Sequence, residues 1–220
     1  MIDYINDSLP QQEELGTAIR QMRRVYPETA IRELVANALI HQDFNATGTS
    51  PMIEIYDDRI EFTNYGKPLV SIDRMMDEPP RSRNEAMAGI MKGFGICEER
   101  GSGIDKVFAV IEFSQLPAPE IFTTEHHTVV RVWGKRDFSD LGANERIRAC
   151  YWHACLKSVS GERMTNESLR ERFGVDKKNY SAVSRVIRAA IDSGMIKPHD
   201  PTNLSKKHAS YVPYWVQNAM

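Results

Sequence analysis

No stretch of the 220 residues holds the roughly 18 or more consecutive apolar positions that a membrane helix needs. The opening segment MIDYINDSLP has no basic region followed by an apolar run, so neither a membrane span nor a secretory leader is expected. Cysteine is scarce. Cys97, Cys150 and Cys155 are an odd set that cannot make a disulfide framework in a chain this long, so free thiols and a cytoplasmic location are the expectation. A G-x-x-x-x-G-K-[ST] phosphate loop is missing, and with it the place where a helicase motor would sit. No internal repeat or low-complexity segment occurs. Hydrophobic residues make up 41% of the chain, enough to bury a core shared between one larger and one smaller domain. Cys150, His153 and Cys155 lie close together, but offsets of three and five spread them over different faces of a helix. No second Cys/His pair completes a zinc site there. His126 and His127 read as a loop pair before a strand.

The segment PETAIRELVANALIHQD, residues 27–43, predicts one helix that carries Glu33, Asn37 and His41 four residues apart on a single face. Pro27 suits a first helical position, and Ala30, Ile31, Leu34, Val35, Ala38 and Leu39 fill an apolar sector beside that stripe. A carboxylate one turn from a carboxamide can polarise a water while the amide oxygen holds a hard cation. The plain alternative is a solvated stripe on an ordinary amphipathic helix.

Past Gly48, Met52, Ile53 and Ile55, then Asp57-Asp58, then Ile60 and Phe62 predict a tight two-stranded hairpin ending in Asn64-Tyr65-Gly66. Farther on, Glu99-Arg100-Gly101-Ser102-Gly103-Ile104 precedes a helical pattern with Val107, Phe108, Val110 and Ile111 apolar. A glycine-flanked turn that opens a helix is an anion site, because its backbone N–H groups are unsatisfied and the dipole favours negative charge. Leu9 to Val25 is expected to form a helix that packs on this domain or mediates pairing.

In that order, the elements resemble the GHKL ATPase superfamily of gyrase, sensor histidine kinases and mismatch-repair proteins. RELVANALIHQDF, DRIEFTNYGKPL, RSRNEAMAGIM and CEERGSGIDKV resemble more closely the bacterial RecG-related ATP-binding proteins and transcriptional regulators, over nearly the whole chain. The resemblance implies ATP and Mg2+ as ligands. It gives Glu33 the role of water-activating base and Asn37 that of magnesium ligand. Asn64 and Gly66 become the adenine-contacting turn, and Gly101, Ser102 and Gly103 the phosphate-binding turn. His41, Arg83 and Asn84 complete the candidate nucleotide contacts, and residues 67–100 would be a lid. The superfamily usually has Asp at the position of Asn64 and a second glycine where this chain has Pro68. Asn can still accept from an adenine amino group, but without the charge-assisted part of the bond, a loss of about 1 kcal/mol. Relatives of this type often carry a further N-terminal domain, so the chain is read as the C-terminal part of a longer protein.

Charge divides unevenly: residues 1–140 contain 15 Lys and Arg against 23 Asp and Glu, and residues 141–220 contain 13 against 7. The overall net charge of −2 therefore conceals a basic C-terminal part, which points to a polyanion partner. There a helix near 144–158 is followed by Thr165 as N-cap, a short helix with Leu169 and Phe173, a stop at Gly174, and a helix from about Lys177 to Ser193. That is a helix-turn-helix order, and two short strands around a basic loop follow it. Val183, Val186, Ile187, Ala190 and Ile191 are the expected buried stripe. Lys177, Lys178, Asn179, Tyr180, Ser184, Arg185 and Arg188, with Lys206 and Lys207 at the tip of the loop, are the expected contacts to double-stranded DNA. The competing reading docks this positive face on the acidic first domain.

The resulting fold expectation is α+β: a GHKL (Bergerat-type) α/β sandwich over 1–138 and a small winged helix-turn-helix domain over 142–220. The functional expectation is an ATP-binding, DNA-binding transcriptional regulator, as a monomer or homodimer, whose nucleotide state changes DNA engagement. An ATPase with Glu33 as base is the second reading. A degenerate scaffold that no longer binds nucleotide and carries an active winged helix is the third. Helicase activity is excluded, and kinase activity is disfavoured because no phosphoacceptor helix accompanies the site.

Overall fold

The computed structural model of the protein describes residues 2–9, 11–14, 21–97, 103–202 and 209–217. It is a mixed α+β structure that divides into two compact units, one of residues 1–114 and 119–135, the other of 115–118 and 136–220. Among the described residues, no helix is long and apolar enough to cross a membrane.

The first unit begins with α1 (Ile2–Ser8), followed by strands β1 (Gln11–Glu14) and β2 (Gln21–Arg24), paired antiparallel with Gln11 opposite Arg24. In the helix expected over Leu9 to Val25, residues 11–14 and 21–24 are instead paired strands, and residues 15–20 lie outside the described residues. A short isolated helix has little to offset its nucleation cost.

Helix α2 (Glu28–Ile40) starts from Pro27, whose φ of −62° prepares the first turn, and Glu28 places a carboxylate at the positive end of the helix. Pro27 thus sits at the N-cap, one position before the one expected. Ala30, Ile31, Leu34, Val35 and Ala38 of the expected apolar sector are buried, while Leu39, at its edge, is half-buried. The helix packs on a sheet and on α4 (Gly103–Phe113), whose Val107, Phe108 and Ile111 are buried.

The sheet comprises β3 (Met52–Ile55), β4 (Arg59–Tyr65), β5 (Glu120–Thr123) and β6 (His127–Trp133), in the antiparallel order β3-β4-β6-β5. His127 belongs to β6 rather than to the preceding loop, its ring edge-on to Tyr65. Side chains alternate across a strand, so Ile60, Phe62 and Asn64 share a face with their cross-strand partners Val132, Val130 and Thr128. Glu61 is on the opposite face and accepts bonds from Arg59 Nε (2.6 Å) and Arg131 Nε (2.8 Å). Helix α3 (Glu85–Gly93) lies between β4 and α4 in sequence and buries none of its residues.

The second unit contains α5 (Ala143–Val159), α6 (Asn166–Phe173) and α7 (Tyr180–Asp192), then β7 (Ile196–Pro198) paired antiparallel with β8 (Tyr211–Pro213). Thr165 caps α6: its hydroxyl accepts from Ser168 N, while Ser168 Oγ accepts from Thr165 N at 3.0 Å. Gly174, at φ +62°, ends α6 in the left-handed conformation that a glycine adopts without strain. The second helix starts later than expected, because Lys177–Asn179 form a 3-10 turn and α7 begins at Tyr180. His153 Nε2 bonds Ser168 Oγ at 2.9 Å, and Cys150 Sγ contacts Met164 Sδ at 3.8 Å, so both side chains serve packing between α5 and its neighbours.

In the first turn of α4, Asp105 Oδ1 is buried and has no hydrogen-bond partner among the described residues. Burial pushes the carboxyl up to about 6 from an ordinary value of 3.8. A carboxyl whose pKa rises on folding takes up a proton as the chain folds. Its contribution is most favourable below about pH 4, declines as pH rises to about 6, and is level above. Asp105→Asn is therefore expected to gain thermal stability over the parent progressively between about pH 4 and 6, then by a constant margin, in melting temperatures recorded across that range.

Candidate functional site

The C-terminal end of α2 organises the site. The last carbonyls of a helix lack intrahelical donors and must find others. Here Asn84 Nδ2 donates to Ile40 O (3.0 Å) and Gln42 O (2.7 Å), and Asn84 N donates to Ile40 O (3.1 Å). His41 O accepts from Asn64 Nδ2 (3.1 Å) and from Arg83 Nε (3.2 Å). The Arg83 cation at the negative end of α2 also complements the dipole, and its Nη2 donates to Lys67 O at 2.9 Å. Gln42, itself buried, accepts from Tyr65 N at 2.9 Å, which ties the end of α2 to the end of β4.

Gly66 follows at φ +113°, a region open to glycine, and a Cβ there would stand 3.1 Å from two guanidinium nitrogens of Arg83. Its N–H donates to His126 O (2.7 Å) and its carbonyl accepts from Thr128 Oγ1 (2.6 Å). Asn64 is 7% exposed, with its amide N–H groups directed at His41 O and Tyr65 O (3.3 Å). An aspartate in this orientation would face two carbonyl oxygens, which gives Asn64 a local reason independent of any ligand.

The other end of the site lies where α4 begins. A Cβ on Gly103 would fall 2.9 Å from Glu33 Oε2, so the backbone of the first turn of α4 lies directly against the carboxylate. Glu33 is 1% exposed. Removing a carboxylate from water is costly, and the positive end of a helix offsets part of that cost.

Between these ends is a cavity of about 310 Å³, within the range of small-molecule sites. Glu33, Asn37 and His41 line it from α2, Asn64, Thr128, Val130 and Ile121 from the sheet, and Gly103 and Ile104 from α4. Residues between Pro68 and Cys97, among them Leu69, Met75, Arg81, Gly89 and Lys92, form the remaining wall. Burial, with the Arg83 charge beside it, holds His41 below the usual histidine range and favours the neutral ring.

The cavity thus brings together Glu33, Asn37, His41, Asn64 and Gly103. Arg83 and Asn84 do not line it; they cap α2 behind it. Gly66 is next to it, holding the turn. Gly101 and Ser102 lie outside the described residues. Arg81, Lys92 and the apolar wall of Pro68, Leu69, Val70 and Met75 fall within the segment expected as a lid, but no periodic pattern there singles them out as cavity residues. Among the described residues no group of three or more His, Cys, Asp or Glu could hold a metal, so any cation here would depend on Asn37, ligand oxygens and water.

A family model described as "Putative ATP-dependent DNA helicase recG C-terminal" aligns with the segment that supplies the sheet, the wall and the start of α4. Residues 48–132 match it. The match supports an ATPase-like, RecG-related kinship for that segment, which is less than half of the chain and begins after α2. A solved structure, the DIP2311 protein from Corynebacterium diphtheriae, is similar with a TM-score of 0.56 at 16% identity, over 96% of this chain and 45% of that one. At such identity the likeness is one of fold, and this chain spans less than half the length of that relative. No curated protein matches the chain.

Gly66→Ala is expected to destabilise the protein by about 2 kcal/mol, from backbone strain and displacement of Arg83, lowering the melting temperature by about 4–8 °C. Scanning calorimetry checks it, and an unchanged melting temperature would contradict the role given to this turn.

Proposed function

We propose that the cavity is a GHKL (Bergerat-type) nucleotide site for ATP and Mg2+, and that the protein is an ATP-responsive, DNA-binding regulator. The observation that carries the first part is the contact between the α4 start at Gly103 and the Glu33 carboxylate. It brings a helix N-terminus, a buried acid and the Asn37 amide to one hollow. These residue types fit the group: unsatisfied N–H groups for phosphate, an amide oxygen for a hard cation, and an apolar wall for a base. When bound, magnesium nucleotide supplies the phosphoryl group and the cation. Asn37 Oδ1 would hold the cation, and Asn64 would accept from the amino group of the base through Oδ1, its N–H groups being used on backbone carbonyls. The wall from Pro68 to Cys97, which forms one side of the hollow, would act as the lid and exclude water.

Burial of Glu33 favours the second reading, a working ATPase. Glu33 Oε2 is the atom that would take a proton from an attacking water. Titration calorimetry with Mg-ATP is expected to show saturable binding by the wild type, and its absence would leave only the scaffold reading. Glu33→Ala is expected to keep the affinity within about threefold and, if the protein turns ATP over, to lower the rate by about 100-fold or more in a phosphate-release assay.

The DNA-binding part is supported by the second unit. Lys177, Lys178, Asn179, Tyr180, Ser184, Arg185 and Arg188 are all exposed on α7 or in the turn before it, while Val183, Val186, Ile187 and Ala190 are buried and Ile191, expected in the same stripe, is half-buried. A short helix, a glycine turn, a second helix and the β7–β8 hairpin follow in the order of a winged helix. Lys206 and Lys207 belong to the same basic set but lie outside the described residues. A nucleotide that binds one domain or protomer arrangement better than another would then shift DNA affinity, and one without that preference would shift nothing. Lys177→Ala and Arg185→Ala are each expected to weaken duplex binding and to lower the slope of log affinity against log salt by about one, measured by fluorescence anisotropy. Binding of the wild type that does not depend on salt would speak instead for a positive face that serves protein docking.

A further inference from the structure

Helix α3 contains two glycines, Gly89 in its interior and Gly93 at its last position. Glycine is a poor helix former because it gives up the most backbone freedom on folding, so each needs a reason. Left-handed backbone is not the reason, since neither has a positive φ. Tight packing is not the reason either, since a Cβ at Gly89 or Gly93 would meet no atom within 4 Å. Beyond their places along the helix, the two differ in that Gly89 lines the cavity and Gly93 does not.

Glu85, Ala88, Gly89 and Lys92 are the α3 residues of the cavity wall, and their spacing makes one helical face. Asn84 pins the start of this face to the carbonyls of Ile40 and Gln42, at the His41 end of the site. From Glu85 to Lys92 the helix rises about 10 Å, close to the roughly 12 Å that separates Glu33 from His41 along α2. Two small residues, Ala88 and Gly89, occupy the middle of that length.

We infer that Gly89 is a specificity-determining position: the missing methyl group lets a nucleoside phosphate lie against the backbone of α3. The inference rests on the nucleotide reading of the cavity. A side chain at this point would occupy ligand volume, whereas at Gly93 it would occupy solvent. Stability and affinity must therefore respond in opposite directions at Gly89, and stability alone at Gly93.

The test compares Gly89→Ala, Gly93→Ala and wild type in melting temperature and in Mg-ATP titration calorimetry. Each variant is expected to melt about 1–4 °C higher, as alanine replaces glycine in a helix. Gly89→Ala is expected to raise the Kd for Mg-ATP about tenfold or more, as overpacking of a filled site does, while Gly93→Ala leaves it within about twofold. Wild-type affinity in Gly89→Ala would overturn the inference and leave the nucleotide site standing. A lower melting temperature in Gly89→Ala would also overturn it, by showing that the glycine serves packing. Failure of the wild type to bind Mg-ATP would remove both.

Discussion

The unpaired carbonyls at the end of α2 are the constraint on which the site depends. Ile40, His41 and Gln42 offer oxygens that no helical N–H can reach, and three side chains from distant points of the chain answer them. Asn64 arrives from the end of β4, and Arg83 and Asn84 from the far side of the connection that begins at Gly66. One set of backbone acceptors thus fixes the sheet, the turn and the base of α3 with respect to α2. Arg83 then needs an empty space beside it, which Gly66 provides.

A second contact closes the other end. The start of α4 approaches Glu33 so closely that a Cβ at residue 103 would fall 2.9 Å from Oε2. A carboxylate held this deeply would be a liability in an ordinary core, since an ionised acid without compensation favours the unfolded chain. Its position against the start of α4, with Arg32 Nη2 3.9 Å from Oε1, supplies part of that compensation. Asp105, in the first turn of α4, shows the cost of burying a carboxyl: desolvation pushes it up to about 6.

The two units divide the physical tasks. The first encloses a hollow with acidic and amide groups on one wall and mostly apolar side chains on another. The second sorts α7 into a buried aliphatic stripe and an exposed cationic start, and does so with a hydroxyl cap at Thr165 and a left-handed glycine at Gly174. The kinship of residues 48–132 with an ATPase-like, RecG-related family speaks to the first unit, apart from residues 115–118.

Local chemistry made much of this legible in advance. The apolar sector of α2, the Asp57-Asp58 hairpin, the Thr165 cap and the buried stripe of α7 each follow from periodicity or from a residue with a narrow conformational preference. The stripe of Glu33, Asn37 and His41 was visible for the same reason. The strands at 11–14 and 21–24 were not, because pairing between strands is decided by partners that a helical periodicity cannot reveal. Nor was the division of RSRN into two cavity residues, Arg81 and Ser82, and two capping residues, Arg83 and Asn84: which carbonyls need donors is known only once α2 ends and β4 lies beside it. The sequence by itself determined which segments carry polar chemistry, since spacing along one helix is a local property. Only the tertiary structure decided which of those groups share a cavity, because convergence of Gly103 on Glu33 depends on packing between elements 70 residues apart.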